Sequence, residues 1–203
     1  MKKKTGDIIF ALIIGALLVG VPLFCYAGGT QTVTVRAVIP TSSTLNLTVS
    51  RVTGTTWANA TSIDFGTLTY NSTLGIFLPT SYYAVDCGVV DNTGNAWTLT
   101  HARTNVANGN ATLNNNINVD FIRQLSSNTS VLTPLAELSY ANATGSAATF
   151  TKAQILGTNS TGWLRIYYGI GTGNTTDNPG VRPINATQPG GTYTGSVTLT
   201  LAP

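Results

Sequence analysis

The chain has 203 residues, with ten Lys and Arg, seven Asp and Glu, one His and two Cys. Charged residues make up 8% of it, whereas ordinary soluble domains carry about a quarter. So few titratable groups argue against an enzyme. Uncharged Asn, Thr, Ser and Gly take the place of charge, as is common on exported fibres and envelope proteins.

The first 27 residues have the pattern of a secretory signal peptide. Three lysines precede an almost unbroken apolar run from Ile8 to Phe24, and the small residue Ala27 provides a cleavage position before Gly28. We therefore expect the chain to be secreted, or held in the cell envelope or at the cell surface.

Other interpretations of the leader remain open. The apolar run is only slightly short of a spanning helix, so it could be retained as a membrane anchor. A prepilin-type leader cleaved after Gly6 is a second alternative, although Ala11 stands where such leaders usually carry Glu. A lipoprotein signal is disfavoured because bulky Phe24 directly precedes Cys25.

The exported part, residues 28–203, is predicted to form one domain. Without the leader it has seven basic and six acidic residues, so the apparent basicity of the chain belongs largely to the leader. No nucleic-acid partner is therefore expected. Membrane contact is expected only through the leader before cleavage.

The exported part begins with two alternating runs that predict β-strands. In the first, residues 28–40, Val33, Val35 and Ala37 share one face. In the second, residues 43–52, Leu45, Leu47 and Val49 share one face and polar side chains lie opposite, as in a half-buried strand.

Further strands follow at fairly regular spacing. A change of phase at Gly66 predicts a bulge or bend in the first of them. The second and third flank the turn sequence DNTGN and predict a hairpin, while a stretch at Thr133–Ala141 has good helix formers. These later strands are predicted at Ser62–Tyr70, Ser81–Val90, Asn95–Ala102, Ile117–Leu125, Trp163–Ile170 and Thr192–Leu201.

Eight or nine strands separated by turn signals predict an all-β fold. The expected architecture is a single antiparallel, immunoglobulin-like β-sandwich. Cys87 is the one cysteine of the exported part and is predicted to be an unpaired, buried thiol. An odd cysteine in a secreted chain also leaves an intermolecular disulfide open.

No recognisable catalytic or metal-binding motif occurs in the exported part. Its one histidine, His101, ends a predicted strand and is predicted to lie at the surface. We therefore expect no catalytic residues, no metal ligands and no cofactor.

Three tryptophans are candidate elements of an aromatic binding platform. Trp57, Trp97 and Trp163 could stack on sugar rings, and this makes a secreted glycan-binding or surface-binding module the alternative function. Aromatic residues at alternating strand positions are more often part of a core.

Several short motifs resemble spore-coat-U-type domains and fimbrial subunit domains of the chaperone–usher class. The motifs are Phe65-Gly66 in IDFGTLTY, Cys87 followed by NAWTLT, the strand RIYYGI, and Gly191-Thr192-Tyr193 leading to Val197, and they span roughly Ser62 to Leu201. The chain departs from the family in lacking a second cysteine to pair with Cys87 and a tyrosine near its end.

The resemblance implies a structural subunit that assembles by β-strand addition, in which one subunit supplies a strand to another. Residues 28–40 are the candidate donor, with Thr32, Val33, Val35 and Ala37 as donor positions; alternatively they form the first strand of their own sandwich. The implied partners are copies of the same chain or other surface or pilus subunits, with a periplasmic chaperone.

Overall fold

A computed structural model describes residues 42–125, 128, 140–141, 148–172 and 181–203, all within one compact unit, Pro40–Pro203. Strands account for 55% of these residues and helix for 4%, which confirms the predicted all-β class. The leader and the candidate donor positions Thr32, Val33, Val35 and Ala37 lie outside the described residues.

The described elements are mostly strands of the lengths usual for antiparallel sheets. Eight strands in this part of the chain have four or more residues. The elements are β1 (Ser43–Thr53), β2 (Thr56–Ala60), β3 (Thr69–Asn71), β4 (Ile76–Leu78), β5 (Tyr82–Asp91), β6 (Thr98–Arg103), β7 (Ala107–Asn108), β8 (Ala111–Thr112), β9 (Ile117–Leu125), β10 (Tyr140–Ala141), β11 (Ala148–Thr151), α1 (Lys152–Leu156), β12 (Thr161–Ile170), β13 (Ile184–Asn185) and β14 (Val197–Ala202).

Two antiparallel sheets dominate the fold. The large sheet has the strand order β10-β9-β12-β5-β1-β2, and the small sheet has the order β11-β6-β14. Two minor sheets, β13-β4-β3 and β7-β8, complete the described strands. In the large sheet Cys87 of β5 pairs with Leu47 of β1 on one side and with Leu164 of β12 on the other.

The two main sheets enclose one hydrophobic core, which makes the fold sandwich-like. Because side chains alternate between the faces of a strand, every second residue of β5, β9 and β12 points toward the small sheet. The core combines Val85, Cys87, Val119, Leu164 and Ile166 from the large sheet with Leu99 and Phe150 from the small one, and Ile155 and Leu156 of α1 pack against it.

Contacts between the sheets fix which strands face each other. The rings of Phe150 on β11 and Phe121 on β9 have centroids 4.9 Å apart. His101 on β6 lies 3.0 Å from the hydroxyl of Tyr168 on β12. These contacts place β11 opposite β9 and β6 opposite β12.

The hairpin predicted across DNTGN is wrong. β5 has β1 and β12 as its two neighbours, so neither of its edges is available to β6. The chain instead crosses between the sheets over residues 92–97, and Trp97 enters the core with 4% of its surface exposed. A local turn signal fixes a reversal of the chain, whereas the choice of sheet depends on competition for edges.

The strand predicted over Ser62–Tyr70 is mostly absent: only Thr69–Asn71 is strand. Gly66 adopts a φ of 64°, and its N–H donates to the Asp64 side chain at 2.8 Å. This turn confirms the bend predicted at Gly66, since glycine tolerates positive φ without steric cost. The bend lets Phe65 pack edge-on against Tyr83 with centroids 5.5 Å apart.

Helical structure is slight in the described ranges. Of the helix-favouring stretch Thr133–Ala141, only Tyr140 and Ala141 are described, and they form β10. The short helix α1 begins with a capping box in which Thr151 and Gln154 satisfy each other's backbone N–H groups. No helix in this part of the chain has the length and apolarity that a membrane crossing requires.

Candidate assembly edge and outer aromatic face

The last strand, β14, forms one border of the small sheet. It pairs with β6 from Val197 to Ala202, and no other described strand pairs with it. Val197, Leu199 and Leu201 point toward the core and are half-buried, while Thr198 and Thr200 are exposed. Within the described residues, β14 therefore offers an open main-chain edge beside partly covered apolar side chains.

The inner face of β1 is incompletely covered. The sequence predicts Leu45, Leu47 and Val49 on one buried face, but Leu47 is 52% exposed. Its register opposite Cys87 confirms that it lies on the inner face. Leu45 and Val49, its neighbours on that face, pack against the core but are only half-buried.

Among the described strands, the open edge of β14 and the exposed Leu47 on the inner face of β1 each leave part of the apolar interior uncovered. A strand added beside β14 would continue the small sheet and bring further side chains against the core. β14 carries no charged residue and no proline, which are the usual protections of an exposed edge. This combination, which we call the assembly edge, is the chemistry that strand addition uses: main-chain hydrogen bonds together with apolar contacts.

The opposite face of the large sheet carries a buried ion pair. Arg165 on β12 donates two hydrogen bonds to the Asp86 carboxylate on β5, from Nε at 2.6 Å and Nη2 at 3.0 Å. Both residues are 2% exposed. The guanidinium carbon lies 4.7 Å from the ring centre of Trp57, so the cation is also stacked on an aromatic ring.

Further polar and aromatic side chains surround this pair, and we call the whole group the outer aromatic face. Tyr82 and Tyr167 pack together with ring centroids 5.8 Å apart. Burial raises the pKa of Tyr82 to about 12 and that of Asp120 to about 6. One oxygen of the Asp120 carboxylate is buried without a hydrogen-bond partner.

Sequence reasoning missed the outer aromatic face. The available signal was the placement of Asp86, Asp120 and Arg165 at the middle of otherwise apolar strands, where charges are costly unless paired. The pattern marks these side chains as special, but only the strand order β9-β12-β5 brings the three together.

The three tryptophans do not form one platform. Trp97 lies in the core between the sheets. Trp57 and Trp163 are half-buried on the outer face of the large sheet, Trp57 over Arg165 and Trp163 in the register position opposite Gly88. A β-carbon at Gly88 would lie 2.5 Å from the Trp163 ring, so this glycine leaves the space into which the indole packs.

Cys87 is buried in the centre of the large sheet, with 0% exposure. It is a free thiol, and burial raises its pKa to about 12, with a smaller contribution from the charge of Asp86. A thiol in this position is protonated at neutral pH and inaccessible to a second molecule.

We expect Cys87 to react with a thiol reagent such as DTNB at least about 100-fold more slowly in the native protein than in urea, because little thiolate is present and access is blocked. The measurement is the absorbance of released thionitrobenzoate. A Cys87→Ser variant gives the background from any other thiol. Rapid labelling of the native protein, or a disulfide-linked dimer on a non-reducing gel, would contradict this placement.

The prediction that His101 lies at the surface is wrong. His101 is 3% exposed and lies on the inner face of β6, where it contacts Tyr168 and the ring of Phe121. Burial, with a smaller contribution from the charge of Arg103, lowers its pKa to about 4. The strand that contains His101 was predicted correctly, but the face on which His101 lies was not.

Asp91, at the end of β5, is the centre of a polar cluster. Its carboxylate accepts hydrogen bonds from Ser43 Oγ at 2.5 Å, from Thr93 Oγ1 at 2.7 Å, and from the Lys152 ammonium group. The Lys152 contact holds the pKa of Asp91 well below its usual range. These contacts tie the start of β1 and the start of α1 to β5.

The part of the chain that the structure describes contains no group of three or more His, Cys, Asp or Glu side chains that could hold a metal ion. A shallow depression beside Trp97 and Lys152 contains one charged group, and that ammonium already binds Asp91. Comparisons of the chain with protein-family models, with curated proteins and with solved structures found no match.

Proposed function

We propose that the chain is an exported, non-enzymatic structural subunit of a pilus, fimbria or coat that assembles through β-strand addition at the assembly edge. The observation that carries the proposal is that β14 has an open edge among the described strands while Leu47 on the inner face of β1 is exposed. We assign the added strand to the space over Leu47. The signal-peptide pattern, the nearly uncharged surface and the resemblance to fimbrial domains support it further.

The proposed donor is residues 28–40, from a neighbouring copy or a partner subunit. Its alternation gives Val33, Val35 and Ala37 one common face, which matches an edge where apolar side chains need covering. Thr34 and Arg36 alternate with these residues and are assigned to the opposite face. The donor carries one charged residue in this stretch, so apolar contact and main-chain hydrogen bonds supply the affinity.

Deletion of residues 28–38 is expected to abolish polymer growth, because it removes the donated strand. Size exclusion and negative-stain microscopy of the purified protein measure this. A further pair of variants tests which face of the donor contacts the acceptor. The double variant Val33→Asp with Val35→Asp should block polymer growth, whereas Thr34→Asp should not. Fibres that form without residues 28–38 would eliminate this donor, and a monomer that persists on concentration would count against assembly.

The acceptor side has its own variant. Leu47→Ser is expected to weaken assembly while changing the free energy of unfolding of the monomer by less than about 0.5 kcal/mol, because Leu47 is half exposed before any strand is added. Leu74→Ser is the matched control, since Leu74 is 59% exposed in the turn between β3 and β4. Equal effects of the two variants on assembly would exclude β1 from the acceptor.

A glycan-binding module is the second candidate function. It is favoured by the half-buried positions of Trp57 and Trp163 on one face of the large sheet, since aromatic rings commonly stack on sugars. Glycan-array binding that is lost in Trp57→Ala or Trp163→Ala would support it. Failure of both variants to change binding would exclude this face.

A further inference from the structure

His101 joins the two sheets through a single polar contact within an apolar interior. Its Nε2 lies 3.0 Å from the Tyr168 hydroxyl of the large sheet. Its Nδ1 is buried without a hydrogen-bond partner. In either tautomer of the neutral ring, Nε2 can share a hydrogen with Tyr168. A second proton would place a full positive charge at a site with 3% exposure.

The surroundings offer no counter-charge in the described residues. Arg103, two positions along β6 on the same face, is itself a buried cation. Other titratable side chains on the facing inner surface are Tyr168 on β12 and, on β5, Cys87 and Tyr83. Burial raises the pKa values of Tyr168 and Cys87, so both are neutral at neutral pH. The residues that face His101 from β9, β11 and β14 are uncharged: Phe121, Ala148 and Leu199.

We propose that His101 is an acid-sensitive contact between the two sheets, and that its protonation releases the small sheet β11-β6-β14 from the large sheet. The imidazolium must leave its buried site to regain water, and Leu99 and Phe150 on the same inner face lose their packing when it does. Because β14 belongs to the small sheet, acid also disturbs the assembly edge; that link rests on the proposed function, whereas the contact itself does not.

The direction in which stability changes with pH follows from proton linkage. Burial lowers the pKa of His101 from 6.5 to about 4, so the folded protein binds fewer protons than the unfolded chain between these values. The stabilisation is complete above pH 6.5 and is lost as the pH falls toward 4. The shift predicts a rise of about 100-fold in the unfolding equilibrium constant between pH 7 and pH 4 from His101 alone.

Among the described residues, Asp120 titrates in the same window with the opposite effect on stability. Asp120, on the outer face of β9, has a pKa raised by burial to about 6. The free-energy cost of its buried negative charge therefore decreases as the pH falls below 6. An Asp120→Asn variant removes that contribution. The pKa of Asp91 is held below its usual 3.8, so the stability that its ionised carboxylate contributes is lost mainly below the window.

Because the chain has one histidine, its imidazole signals in NMR need no assignment by mutation. We expect these signals not to titrate between pH 7.5 and 5 in the folded protein. Hydrogen exchange should show amides of β6 and β14 losing protection on acidification before those of β5 and β12. Titration of the folded protein with a midpoint near 6.5 would overturn the proposal.

Substitution separates a specific role from general acid sensitivity. His101→Gln keeps a hydrogen-bonding side chain but cannot titrate, so its unfolding constant should change about 100-fold less than that of the parent between pH 7 and 4. Both proteins are measured in the Asp120→Asn background. An identical pH dependence in the two would overturn the proposal, and the NMR titration of the parent decides the question if the variant does not fold.

Discussion

Replacement of Asp86 by Asn is expected to lower the free energy of unfolding by about 3–5 kcal/mol, the cost typical of leaving one partner of a buried ion pair without the other. Arg165 donates two hydrogen bonds to Asp86, and both side chains are 2% exposed. The variant removes the carboxylate charge but leaves the guanidinium in its buried position under Trp57.

Urea unfolding followed by tryptophan fluorescence measures this loss. Asp64→Asn is the matched control: Asp64 is exposed, and an Asn side chain can still accept the hydrogen bond from the Gly66 N–H. The double variant Asp86→Leu with Arg165→Met should recover much of the lost stability, because apolar replacement of a whole buried pair is often tolerated. A loss below about 1 kcal/mol for Asp86→Asn would contradict the burial of this pair.

Truncation of Leu99 to Ala is expected to cost about 2–5 kcal/mol, the range for a fully buried leucine. Leu99 is 0% exposed on β6, the central strand of the small sheet, and it belongs to the core shared by both sheets. The cavity would therefore weaken the packing between the sheets as well as the small sheet itself.

The control for this truncation is the same change at an exposed site. Leu74→Ala is expected to change the free energy of unfolding by less than about 0.5 kcal/mol. Equal and small effects of Leu99→Ala and Leu74→Ala on the denaturation midpoint would mean that the small sheet does not pack on the large one, and the sandwich would be wrong.

The assembly edge and the histidine contact meet in the small sheet. β14 forms the border of that sheet, and His101 on the neighbouring strand β6 anchors it to Tyr168. Within the described residues, β14 leaves main-chain groups unpaired at one edge, and His101 connects the neighbouring strand to the large sheet. Strand addition and acid response can therefore be tested separately, the first by changes in residues 28–40 and Leu47, the second by changes in His101.

Local pattern was sufficient for the strands with strong alternation. β1, β9 and β12 were predicted within a few residues of their ends, β1 from its alternation of apolar and polar side chains and the other two from their apolar and aromatic runs. The Gly66 bend was also predictable from local pattern, because the alternation of apolar and polar residues is interrupted next to this glycine. The buried, unpaired state of Cys87 follows from its position in such a strand.

The sequence by itself determined the β class, the lack of charge and the export pattern, because composition and side-chain alternation are properties of neighbouring residues. Only the tertiary structure decided that β6 leaves β5 for another sheet, that His101 points inward, and that Asp86 meets Arg165 beneath Trp57. Each of these depends on which strands become neighbours, and that choice is made by competition for sheet edges and for burial between residues far apart in the chain.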